Sequence, residues 1–393
     1  LVRVTHNPFT KAETWLAVNP SDPQNVVVAA KDMDPAFSNA CVWTRLAVTK
    51  DGGTTWTELT IGGPYADRAP GSPFFGYACN TDPMFAFSKD GTLHYLLEAY
   101  GAGASPNTLV AAGVTMFLVT SHDGGLTWPE AQPILRGDGY AISPDHPWLV
   151  VNPKTDTVHV AFLDYIGGNR CYVVNVRPGQ VETVPILVPG GAGCLQAAVL
   201  SDGTLVVSGD GAVAGGGQWF AASSDDGHTF SAPVSGFALP PFAYLTADPR
   251  PGNLTLYGVA ADGKEVVLHA SGDAGRTWRP PVTLHKSDGD VSLPKLAVAA
   301  DGSLHVFFLD AGYDPGHLDA SHAWSTDGGA TWSVERLTTK SWDPQMSHHQ
   351  NGDAGWVGDY LGADAGPDAV WAAFPDGSLG EAPSLAVAKV VYG

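Results

Sequence analysis

Four acidic residues, Glu13, Asp82, Asp145 and Asp359, each stand at the start of a short apolar run that reads as a β-strand. Five more, Asp32, Glu98, Asp164, Asp210 and Asp310, close the run that follows. Carboxylates gathered round one axis repel each other, so some keep their protons at neutral pH; a protonated general acid can then stand beside an ionised partner. By that logic Asp145 and Asp359 lead as catalytic candidates, with Glu13 and Asp82 next and Tyr360 in support. Oxygen-rich sets also suit hard cations such as calcium, and Asp32, Glu98, Asp164 and Asp310 are the candidate ligands. The competing role is plain turn capping, common for Asp before Pro and at strand ends. Tyr100, Tyr165, Tyr244 and Trp356 occupy the same stretches and could offer ring faces to a sugar, although packing between sheets is the commoner use of such residues. His146, next to Asp145, could be oriented as a base; His348 and His349 with Asp353 are a weaker metal candidate, because adjacent side chains rarely point at one ion.

The elements that must position these residues are set by a repeat. Ser/Thr-x-Asp-x-Gly-x-Thr-Trp/Phe occurs five times, with its aspartates at Asp51, Asp123, Asp225, Asp273 and Asp327. Each position has a structural job: the carboxylate accepts turn N–H groups, the glycine takes a positive φ, and the aromatic plugs into the sheet beside it. Around the boxes runs a second period of inner strand, tight turn and second strand, which gives seven units. The expected architecture is an all-β, seven-bladed β-propeller of four-stranded antiparallel blades, with six blades as the alternative. The blades fall at 7–62, 76–136, 140–189, 192–236, 239–286, 289–340 and 350–393, in a single domain spanning 1–393. The last unit lacks a fourth strand and residues 1–6 lack a blade, so the N-terminal strand is expected to complete blade seven and close the ring.

Strand alternation separates two faces. The first turn and the octapeptide turn share one face, while inner-strand starts, second-strand ends and the long connections share the other, where the acids lie. Cys41 and Cys171 follow second strands, and Cys79 and Cys194 precede the next inner strands, which pairs Cys41 with Cys79 and Cys171 with Cys194 across neighbouring loops.

The chain has 393 residues, 20 basic and 40 acidic, for a formal net charge of -20. That balance disfavours nucleic acid and anionic membrane surfaces as partners. No apolar run is long enough to span a bilayer, and no leader-like segment is evident. The cysteine pairing points to a secreted or other extracytoplasmic protein, expected to be a monomer with a glycan or similar ligand and no obligatory cofactor beyond possible Ca2+.

The octapeptides, such as Ser325-Thr-Asp-Gly-Gly-Ala-Thr-Trp, resemble the Asp-box, or bacterial neuraminidase, repeats of the sialidase superfamily. The resemblance covers the whole chain and is specific for fold rather than activity. It implies an arginine triad, an Arg-Ile-Pro motif, a Tyr and Glu nucleophile pair and an Asp acid/base. This sequence has no Arg-Ile-Pro, and Arg68, Arg170, Arg136 and Arg45, the arginines nearest the acidic face, match no family motif. Gly358-Asp359-Tyr360 is similar to a sequence in the last blade of secreted bacterial sialidase-like proteins. The function expected is a glycoside hydrolase using paired carboxylates, with a neutral glycan favoured over sialic acid. Its alternative is a non-catalytic propeller that binds glycan or protein, supported by calcium; a cation-dependent lyase with His146 as base is a third reading.

Overall fold

The computed structural model describes residues 1–33, 42–61, 72–75, 77–101, 114–136, 142–165, 167–181, 184–211, 217–235, 243–349, 353–380 and 382–392. They form seven antiparallel sheets in sequence order around a channel. Blade 1 runs Lys11–Val18, Val26–Asp32, Trp43–Thr49 and Thr57–Leu59 from the channel outwards. Blades 2, 5 and 6 repeat this four-strand order from inner strands Tyr77–Phe87, Tyr244–Ala247 and Val291–Val298. Blade 3 starts at Pro144–Val151, and two separate segments, Gln180–Val181 and Ile186–Ala192, share its outer edge. Blade 4 has three strands beginning at Gln196–Val199, and the single bridge Phe220–Val234 stands where a fourth strand would lie.

Blade 7 is closed as the sequence implied. Val2–Arg3 pairs with the far edge of Ser384–Val391, through Val2 to Val387 and Arg3 to Ala386. Its inner strand, however, is Gly362–Ala365, so Asp359 and Tyr360 enter the channel from the segment before the strand rather than from its first residues.

Each octapeptide folds into the same turn. In the third copy Ser223 Oγ donates to Asp225 Oδ1 at 2.7 Å, Thr229 N donates to the same oxygen at 2.9 Å, and Thr229 Oγ1 donates to Oδ2 at 2.6 Å. Gly227, at φ 81°, sends its N–H to Ser223 Oγ at 2.9 Å. The motif aromatics Trp56, Trp128, Phe230, Trp278 and Trp332 all pack against the apolar clusters between blades. Phe220 and Trp278, from adjacent blades, meet at 4.9 Å between ring centroids.

At one motif glycine the neighbouring blade leaves no room for a side chain. Gly275 has φ 82°, and a Cβ there would meet Phe220 at 3.0 Å, whereas a Cβ on Gly263, at φ 59°, would meet nothing within 4 Å. Both alanine variants carry the left-handed cost of about 1–2 kcal/mol. Gly275→Ala adds a clash in close-packed surroundings worth about 1–3 kcal/mol. Urea titrations should therefore place Gly275→Ala clearly below Gly263→Ala; equal midpoints would refute the packing argument.

Register fixes the two faces. Lys11 pairs with Asp32 at one end of blade 1's first hairpin, and Val18 pairs with Val26 at the other. Val26 in turn pairs with Thr49, where the octapeptide turn begins. Inner-strand starts and octapeptide turns therefore lie on opposite faces.

Candidate active site at the channel mouth

The inner strands are not regular where they reach the acidic face. Four of them slip register at matching places, between Ala12 and Trp15, Thr81 and Met84, Asp145 and Trp148, and Ser292 and Lys295. The residue within each slip is held at positive φ: Glu13 at 49°, Asp82 at 52°, His146 at 49° and Leu293 at 51°. In three of the four the next residue is proline (Pro83, Pro147, Pro294), which has no N–H to give the ladder. A bulge re-aims a side chain, and left-handed backbone on non-glycine residues costs about 1–3 kcal/mol each. The recurrence of that cost on the channel axis, with three polar side chains of four, points to a functional rather than a structural use.

Gly358 adds the seventh blade to this ring. At φ 103°, it lies so close to Glu13 that a Cβ would sit 2.4 Å from the Glu13 backbone nitrogen. Asp359 follows it, exposed, and Tyr360 turns inward to 1% exposure. Tyr360 meets Trp15 and Trp148 edge-on at 5.9 and 6.2 Å, and His146 at 6.3 Å.

At the centre stands a cation the sequence reading missed. Lys31, on the second strand of blade 1, is buried and ion-pairs with the Glu13 carboxylate and, at 3.0 Å, with Asp82 Oδ1. Its ammonium also lies 5.3 Å from the centroid of Trp356. Thr81 Oγ1 donates to Asp82 at 2.6 Å. Carboxylate oxygens of Asp82, Glu98 and Asp145 all lie within 4.8 Å of one another. A lysine inside the apolar run Val-Val-Val-Ala-Ala-Lys-Asp was the available signal, because a strand buried on both sides has no place for an unpaired ammonium.

The electrostatics separate these acids. Burial would raise the Asp82 pKa, but Lys31, with help from Thr81 and His146, outweighs it and holds Asp82 down at about 2. Burial dominates for Glu13 and Glu98 and pushes both well above the usual carboxylate range; Asp82 adds to the rise in each, against the pull of Lys31. Asp145 is raised as well, by burial and by the charge of Asp82. The mouth therefore sets a carboxylate held low beside others pushed up, a separation that can divide acid and base roles between like groups.

Glu98 gives this a direct check. In the unfolded chain its proton leaves near pH 4.3, but in the folded protein only well above that, so stability falls as pH rises between the two values. Glu98→Gln mimics the protonated form at every pH. In chelator-containing buffer it should raise the melting temperature by about 1–3 °C at pH 8 and by nothing at pH 4; a variant destabilised at pH 8 would show that Glu98 is buried as an anion.

A cavity of about 530 Å³ opens beside this cluster, and its wall includes Asp145, His146, Asp210, Tyr244 and Asp359. Asp145 and Asp359, the leading sequence candidates, thus share one cavity, with Glu13, Asp82 and Tyr360 immediately behind it. Tyr244 is buried and donates its hydroxyl to the Asp359 carbonyl oxygen, which fixes the loop carrying that carboxylate.

Other expected residues fall elsewhere. The four acids proposed as cation ligands do not form one group. Asp32 is held by Lys11 at 2.9 Å and Arg45 at 2.6 Å, Asp164 accepts Ser143 N–H at 3.0 Å, and Asp310 accepts from His285 at 2.9 Å and Gly312 N–H at 2.8 Å. Only Glu98 reaches a set that could hold a metal, and its companions are Asp82 and Asp145. Tyr100, at 1% exposure, is too buried to be a platform for a sugar, and so is Tyr244 at 8%. Tyr165 is 56% exposed, and Trp356 is half-buried over Lys31. His349 packs edge-on against Trp356 at 4.5 Å, and its N–H donates to the Asp353 carbonyl at 2.8 Å. Cys171 and Cys194 are bonded, with S–S 2.09 Å, and brace the cavity wall. Cys79 is also disulfide-bonded, while Cys41, its expected partner, lies outside the described residues.

Similarity searches add the fold's relatives. No family model matches the chain, and no curated protein matches it. Among solved structures, a Hadza microbial sialidase superimposes with a TM-score of 0.51 at 17% identity, covering 97% of this chain and 66% of its own. A protein of unknown function from Dyadobacter fermentans superimposes at 0.57 and 15%, covering 100% and 98%. The GH93 α-L-arabinofuranosidase of Fusarium graminearum, in complex with arabinobiose, superimposes at 0.50 and 12%, covering 99% and 96%. The fold is that of the sialidase-like propellers. In this propeller no arginine lines the mouth cavity among the described residues. Arg45 is committed to Asp32, Arg136 reaches Tyr77 Oη at 3.3 Å, Arg170 is exposed on an outer strand, and Arg68 lies outside the described residues.

Proposed function

We propose that the protein is an extracytoplasmic glycoside hydrolase acting on a neutral glycan, with Asp145 as general acid and Asp359 as the second carboxylate. The observation that carries this reading is the shared cavity: two carboxylates from blades 3 and 7 line it, backed by a buried acid cluster whose members are pushed in opposite pKa directions. A raised pKa suits Asp145 to protonating a leaving oxygen, and the exposed Asp359 can meet the sugar carbon or a water. Asp82, fixed as an anion by Lys31, sustains the proton on Asp145 between turnovers. The absence of arginine from the described cavity lining, with a net charge of -20, favours an uncharged sugar. The disulfide suits an oxidising compartment.

The first experiment is reducing-end release from a panel of neutral and sialylated oligosaccharides, with Asp145→Asn and Asp359→Asn alongside the parent. Release from neutral members only, lost in both variants, is expected; full activity in either variant removes that residue from the mechanism.

The proximity of the Asp82, Glu98 and Asp145 oxygens favours a second reading, a calcium-supported binding propeller. In that case millimolar Ca2+ raises the melting temperature, glycan binds saturably, and no reducing ends appear.

A further inference from the structure

The channel is divided. Below the acidic mouth, Trp15, Trp148 and Tyr360 pack edge to edge across the axis, Trp15 on Trp148 at 5.0 Å. Beneath them a second cavity of about 420 Å³ extends towards the face of the octapeptide turns, past Val18 and Pro20. The two cavities share no lining residue. The lower one is lined by consecutive residues of the seven inner strands, among them Leu16, Leu149, Ala198, Leu245 and Leu296, and among the described residues its charged members are Lys295 and Asp364.

Lys295 stands at the closed end. It is the blade-6 counterpart of Trp15, Met84 and Trp148, the residues that end the matching register slips in blades 1, 2 and 3. Its ammonium lies 5.0 Å from the ring of Trp148 and 5.5 Å from that of Trp15. Its one hydrogen bond among the described residues is long, 3.4 Å to the Leu245 carbonyl oxygen. Asp364 is turned to the backbone, accepting Val18 N–H at 2.9 Å and Ala365 N–H at 2.8 Å, and no ion pair with Lys295 forms. An apolar side chain would fill the position more cheaply, since a buried amine with one weak partner costs stability. The contrast with Lys31, clamped by two carboxylates, is instructive: that lysine neutralises a site, and this one is left available.

We propose that Lys295 is the nucleophile of a second site, a narrow pocket on the octapeptide-turn face that captures small aldehydes as imines. The neutral amine attacks the carbonyl carbon, the C–N bond forms, and the carbinolamine loses water to give C=N; the two hydrogens of the amine leave with the carbonyl oxygen. Neither an oxidant nor a reductant is consumed. Burial supplies the neutral amine, lowering the Lys295 pKa to about 8 against the opposing pull of Asp364. Burial likewise raises Asp364 to about 6, against its backbone hydrogen bonds and Lys295, and leaves it a carboxyl group able to exchange the protons that dehydration needs. Asp364 is the other charged group lining this cavity among the described residues.

The site is independent of the glycoside hydrolase reading, and its test needs no glycan. The folded protein is incubated with butanal and sodium cyanoborohydride between pH 6 and 9, and butylated lysines are located by peptide mass mapping. Lys295 should be modified at least about tenfold faster than any other lysine, with a rate that levels off above pH 8, because ordinary lysines remain almost wholly protonated there. Lys295→Met should lose that product alone, and 8 M urea should abolish the selectivity of the parent. Modification of Lys295 no faster than that of the exposed lysines, or selectivity that persists in urea, would overturn the proposal even if Lys295→Met failed to fold.

Discussion

Asp145→Asn is expected to lower kcat/KM on natural oligosaccharides by about 10²–10⁴-fold while costing less than about tenfold on aryl glycosides with good leaving groups. The difference arises because an alkoxide leaving group needs a proton in the transition state and a nitrophenolate does not. The folded-state pKa of Asp145 is raised by burial and by the Asp82 charge, so the parent's alkaline limb should lie above the range of an ordinary aspartate, and the variant should lose it. Asp359→Asn should behave oppositely, losing both substrates by a similar factor. With azide, an Asp359→Asn enzyme that yields glycosyl azide identifies the residue as nucleophile or base. Steady-state kinetics on the two substrate classes decide the matter: equal losses for Asp145→Asn on both would sink its role as acid.

The second large effect concerns stability. Lys31→Met should destabilise the protein by about 3–5 kcal/mol at pH 8, because it strips the cation from buried Glu13 and Asp82. Burial alone would lower the Lys31 pKa, but Asp82 and Glu13 raise it above the usual lysine value, so its contribution is complete below about pH 10 and lost only above it. In the variant Asp82 no longer has a reason to stay ionised. Protonation then relieves the repulsion, and the deficit should shrink as pH falls below about 5. Urea denaturation at pH 8 and pH 4.5 measures this directly; a deficit independent of pH would mean that Lys31 acts by filling space rather than by charge.

The parts of the molecule that were legible in sequence are those with a local cause. An octapeptide whose Ser, Asp, Gly and Thr bond one another across at most four positions carries its conformation with it, and the inner-strand period around its five copies gives the blade count and the two faces. The lone strand at Val2–Arg3 could be assigned to the last blade because that blade was one strand short. Residues such as Asp145 and Asp359 could be placed at the mouth by strand direction alone.

What escaped was decided by contacts between strands distant in sequence. Whether Asp32 serves a cation or an ion pair depends on Lys11 and Arg45 arriving from other strands of its blade, and nothing in the neighbourhood of Asp32 announces it. Tyr100 looked like an exposed loop residue and is buried, because the strand it ends continues to Gly101. The bulges at Glu13, Asp82, His146 and Leu293 were visible only as an acid or proline at a strand start. Lys31 and Lys295 are the most informative omissions, since a charged residue within an apolar strand run is a question the sequence poses openly.

Ring closure through Val2 and Val387 also bears on how the chain reaches this state. The first strand cannot find its partner until Val387 has been synthesised, which at about 5–20 residues per second leaves Val2–Arg3 waiting for tens of seconds. During that interval blade 1 can assemble, yet its inner strand has no neighbour on the blade-7 side and its apolar flank is open to other nascent chains. The Lys31–Glu13 ion pair stands apart from that wait, because both of its residues belong to blade 1 and their meeting needs no strand from another blade.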